Sequence, residues 1–70
     1  MRIVQQDYRH FNIHGLDVSE IEKFEKAYDE GIEFLFTIRG VEELFCVTQV
    51  VKYSDGVNSF VTIKQMSGLR

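Results

Sequence analysis

The chain has no proline and no tryptophan, and a single cysteine among its 70 residues. Each shortage excludes something. With Cys46 alone no internal disulfide can form, so a reduced thiol in a reducing compartment is the expected state. Cys46, His10 and His14 are too few soft donors for a four-ligand zinc site. No run approaches the roughly 20 apolar residues that a membrane-spanning helix needs. The first residues, Met1 to Asp7, lack the apolar core of a signal peptide, which makes the cytoplasm the expected location.

Catalytic signatures are also missing. Gly15, Gly31, Gly40, Gly56 and Gly68 fall where elements end, without phosphate-loop spacing. Cys46 sits among apolar strand residues, where a thiol usually serves as a small buried hydrophobe. His10 and His14 share a strand face but lie about 13 Å apart, too far for one ion. Nothing pairs the acids so as to push two carboxyl pKa values apart. The expectation is a non-enzyme with no cofactor and no metal.

What is present describes a folded chain. It is 44% hydrophobic and 27% charged, too apolar for disorder. At this length folding buries only about 60% of the unfolded surface, so help from oligomerisation or a partner is expected. Net charge is −3, unevenly spread. Residues 17–33 carry seven acids against Lys23 and Lys26, and the remainder is slightly basic. A chain-wide basic patch for duplex nucleic acid is therefore absent.

One helix is legible over residues 18–30. Asp17 and Glu20 have capping-box spacing, and Leu16 and Ile21 have hydrophobic-staple spacing. Ile21, Phe24, Ala27 and Tyr28 form one apolar stripe, and Gly31 suits a left-handed stop. Glu22 and Lys26 have the spacing of an i,i+4 ion pair. Alternation predicts strands over 3–14 (bent near Asp7), 32–39, 43–53 and 57–66. The expected fold is α+β in the order β-α-β-β-β: one amphipathic helix on a four-stranded, mainly antiparallel, twisted sheet. The first strand either runs parallel beside the second or pairs with the last.

Two hairpin signals set an expected register. Gly40-Val41 as a loop pairs Phe36 with Phe45, and Asp55-Gly56 pairs Val51 with Phe60 and Val47 with Lys64. The helix would then cover Phe34, Phe36, Phe45, Val47, Val51, Phe60 and Met66. Leu35, Leu44, Cys46, Val50, Val61 and Ile63 would fill the opposite face. Antiparallel sheets usually keep one face polar, so an apolar second face needs either closure into a barrel or a partner. A one-residue slip in either turn would exchange the faces.

Three functional expectations follow. Leu35, Leu44, Val50, Val61 and Ile63 are candidates for a protein interface, with a second copy or with a larger protein that the chain regulates or inhibits. Glu22, Glu25 and Asp29 on the helix are candidates for electrostatic docking on a basic groove, as in small phage-type inhibitors of nucleic-acid enzymes as a class. The alternative is a single-stranded nucleic-acid module, in which Tyr8, Arg9 and His10 on the first strand stack bases and contact phosphates.

Overall fold

A computed structural model describes residues 1–54, 56 and 58–66. The elements are β1 (Arg2–Gln5), β2 (His10–His14), α1 (Val18–Glu30), β3 (Glu33–Ile38), β4 (Val41–Val51) and β5 (Phe60–Gln65). The class is the expected α+β, but the sheet has five strands in the order β1-β2-β5-β4-β3.

The predicted first strand is two strands. The break falls at Asp7, whose carboxylate accepts the backbone N–H groups of Arg9 and His10, both at 2.8 Å. That short-range bonding competes with the ladder and turns the chain. β1 then folds back on β2, antiparallel, with Ile3 opposite Ile13. β2 pairs with β5, so the parallel arrangement beside β3 is not formed and every neighbouring pair is antiparallel.

The helix starts and stops where its signals lie. Asp17 Oδ1 accepts the Glu20 N–H at 2.8 Å, and Glu20 Oε1 accepts the Asp17 N–H at 3.0 Å. Gly31 is left-handed, with φ 65°, and Ile32 N–H donates to the Ala27 carbonyl at 3.0 Å. This closes the helix in a Schellman motif. Asp17→Ala is expected to cost about 1 kcal/mol and lower the melting temperature by roughly 4–8 °C. Thermal melts followed by circular dichroism would check this, and Asp17→Asn should recover most of the loss.

The register differs from the expected one at two places. The β3–β4 loop is Arg39-Gly40, not Gly40-Val41, because both its residues have positive φ, 55° and 78°. That is the requirement of a type I′ turn. Phe34 therefore faces Phe45, a two-residue shift that leaves both on one face. The second correction changes faces. Val51 faces Phe60 and Val50 faces Val61 as the hairpin predicts, yet Val47 faces Ile63 rather than Lys64. Thr48 and Gln49 together oppose Thr62, a β-bulge. The bulge turns Val47 and Val50 to the same side. Asp55 itself lies outside the described residues.

Val61 and Ile63, expected on the outward face, are in the core with 0% exposure. Val50 packs partly buried against them. Val51, Phe60 and Met66 move the other way, out from under the helix. The core is Phe11, Ile13, Leu16, Ile21, Phe45, Val47, Val61 and Ile63. Edge-to-face rings run from the helix through the sheet: Phe24 of α1 meets Phe34 at 5.7 Å, and between strands Phe36 meets Phe45 at 6.1 Å and Phe45 meets Phe11 at 5.8 Å. The sheet curls around this core, so that Gln5 and Tyr8 at one edge share a groove with Ile38 and Arg39 at the other.

Candidate interaction surface

The outward face of the sheet divides into two apolar patches. At the β3–β4 end, Leu35 faces Leu44, and Cys46 Sγ lies 3.2 Å from Met66 Sδ. Leu35 is 63% exposed and Leu44 half-buried. Glu33 and Glu42 flank this patch, with Lys64 beside Cys46. At the other end, the Phe60 ring lies over His14 at 5.0 Å, beside Val51. A polar band separates the two: Thr62 Oγ1 donates to Asn12 Oδ1 at 2.8 Å, and Thr48 Oγ1 donates to the Thr62 carbonyl at 3.3 Å. Satisfied hydroxyls in mid-sheet do not invite an apolar partner.

Of the five expected interface residues the structure leaves two, Leu35 and Leu44, on the outward face. Sequence reasoning missed what adjoins them, the open edge of β3. A two-residue loop is closed by a hydrogen-bonded pair, here Ile38 with Val41. Counting back, Phe36 and Phe34 also bond to β4. The N–H and C=O groups of Glu33, Leu35 and Thr37 therefore point away from the sheet. Among the described residues no strand pairs with that side.

The acidic helix residues Glu22, Glu25 and Asp29 fall at i, i+3 and i+7, along one stripe. Their field is partly cancelled. Lys52 Nζ lies 2.9 Å from Glu25 Oε2, and this hydrogen-bonded contact, with Glu22 and Asp29 nearby, raises the Lys52 ammonium pKa. The Glu22–Lys26 pair is not formed among the described residues; Glu25 to Lys52 takes its place.

The candidate nucleic-acid residues do not form one platform. Tyr8 is 77% exposed in the β1–β2 turn, with the Arg9 guanidinium 5.8 Å from its ring centre. His10 Nδ1 is 2.9 Å from Asp7 Oδ1, within the turn. Arg2 faces His14 while Lys64 faces His10, so these cations sit at opposite ends of β2, about 13 Å apart. The groove of about 260 Å³ between Tyr8 and Arg39 is floored by Phe11 and Phe45 and includes Glu43.

Asp7 organises the turn, and its pKa reports this. The Arg9 backbone N–H, then the His10 side chain and the His10 N–H, hold the carboxyl below the usual range. A carboxyl lowered on folding adds stability above its unfolded pKa and loses it as pH falls through the folded value. Melting temperature should therefore decline below about pH 4, and Asp7→Asn should flatten that decline. Thermal scans between about pH 2 and pH 7 would show it.

The fold and edge define a class: a small α+β unit with one helix in a curled antiparallel sheet that is open at both ends. No protein-family model, curated protein or solved structure matches the chain. No described helix is long and apolar enough to cross a membrane, and no described group of three or more His, Cys, Asp or Glu is placed to hold a metal ion.

Proposed function

We propose that this chain is a non-enzymatic protein-interaction module that works by adding a strand to its β3 edge. The supporting observation is the edge itself. Natural edge strands are blunted by proline, bulges, inward-pointing charge or short length. β3 has six residues in unbroken register with β4, no proline and no bulge. Its helix-side residues are Phe34, Phe36 and Ile38, all apolar. Leu35 within it, Ile32 just before it and Val41 on β4 are exposed. Main-chain bonds along such an edge supply affinity, and alternate side chains supply specificity. The acids of the helix would orient the approach of a partner, itself a second copy or a larger protein that the module regulates.

Affinity capture from native lysate with mass spectrometry, paired with light scattering on the purified chain, tests this reading. A specific partner or a defined oligomer lost in Leu35→Pro is the expected result, since proline removes an outward N–H without touching the β4 ladder. A monomer that captures nothing would overturn it.

A further inference from the structure

We propose that two copies of this chain join through their β3 edges, antiparallel about a two-fold axis at Phe36, with Glu33 of each copy opposite Arg39 of the other. This rests on the module reading and names its partner.

The register follows from charge. β3 carries one charge, Glu33 at its start, and Arg39, the turn residue directly after it, carries the opposite sign. Neither is in an ion pair among the described residues. A parallel pairing sets like charges side by side. An antiparallel pairing sets opposite charges together, and two-fold symmetry makes the contact twice. An axis at Leu35 would place Glu33 opposite Thr37 and leave Arg39 beyond the pairing. An axis at Thr37 would place Arg39 opposite Leu35. Only the axis at Phe36 pairs both charges.

The same register satisfies the backbone. Leu35 then faces Thr37 of the second copy as a hydrogen-bonded pair, and both residues have their N–H and C=O aimed outward. On the helix side Phe34 faces Ile38, and Phe36 faces itself. All three are half-buried in one copy, so the row of aromatic and aliphatic side chains continues through the axis. Two five-stranded sheets become one continuous sheet. The β1 edge offers no such complement. It is four residues long, and Arg2 is its only charge.

Sedimentation equilibrium from about 1 µM to about 1 mM on the wild type and three variants tests this. Glu33→Arg and Arg39→Glu each turn two attractive strand-to-turn contacts between the copies into two repulsive ones. Each should weaken the dimer about tenfold. The double variant restores complementarity and should return to within about threefold of wild type. Thermal melts on each variant separate weakened pairing from unfolding. Single swaps without effect, or weakening that the double variant does not repair, would overturn this register. A wild-type monomer throughout the range would overturn the dimer. The module reading would then stand if the lysate yields a specific partner, and fall if it does not.

Discussion

Ile63→Ala is expected to cost about 2–5 kcal/mol, and Leu35→Ala less than about 0.5 kcal/mol. Both are branched aliphatics on strands, and hydropathy alone ranks them together. Their surroundings differ. Ile63 is fully enclosed on β5, opposite Phe11 on one side and Val47 on the other. Truncation there leaves a cavity beneath the helix, which close-packed neighbours only partly fill. Leu35 stands in water on β3, where truncation returns little surface to solvent. A chain of this length has a total stability of roughly 3.5–10 kcal/mol. The Ile63 variant therefore loses a large share of that stability, while the Leu35 variant keeps nearly all of it. Urea titrations with both variants beside wild type measure the difference. A stable Ile63→Ala protein would mean that β5 shows its other face to the helix, and a severely weakened Leu35→Ala protein would mean that β3 does.

Why β5 was misassigned from sequence has a definite physical source. The helix was legible to its ends because its signals are local: Asp17 with Glu20, Leu16 with Ile21, and Gly31 each act within one turn. The class and the antiparallel hairpins were legible for the same reason. The number of strands was not. Asp7 breaks the first strand through its own side chain, and without proline or glycine at that point the sequence suggests a bend in one strand rather than two strands. Facing on β5 depended on counting through β4, and Thr48 adds one residue to the count. A signal for it does exist. Phe45 and Val47 are two apart, as one strand face demands, whereas Val47 and Val50 are three apart. A step of three in an alternating strand marks a bulge. The candidate interface suffered most from this, since Val50, Val61 and Ile63 all lie beyond the bulge. The edge of β3 went unread because strand order is a property of the whole fold. No local pattern says which strand has no outer neighbour.

Two single-residue deletions in β4 should separate sharply. Removing Thr48 takes out the extra residue and leaves Phe45, Val47 and Val50 alternating inward without interruption. Its cost is the Thr48 hydroxyl bond to the Thr62 carbonyl, about 1 kcal/mol, partly offset by a regular ladder. Removing Cys46 shortens β4 by the same length and can also be absorbed by straightening the bulge. But Phe45 then directly precedes Val47, and both cannot face the helix. With Phe45 held inward, Val47 turns to solvent and Thr48 takes its place against Ile63. Losing a buried valine costs about 1.5–3 kcal/mol, and burying an unpaired hydroxyl about 1–3 kcal/mol more. The two proteins would have equal length and the same strand pairing. They would differ in which side chain at one position meets the core. The Thr48 deletion should melt within about 8 °C of wild type, whereas the Cys46 deletion should melt more than about 15 °C lower or be unfolded. Equal melting temperatures would show that β4 has no bulge at Thr48, and with it would go the placement of Val61 and Ile63 under the helix.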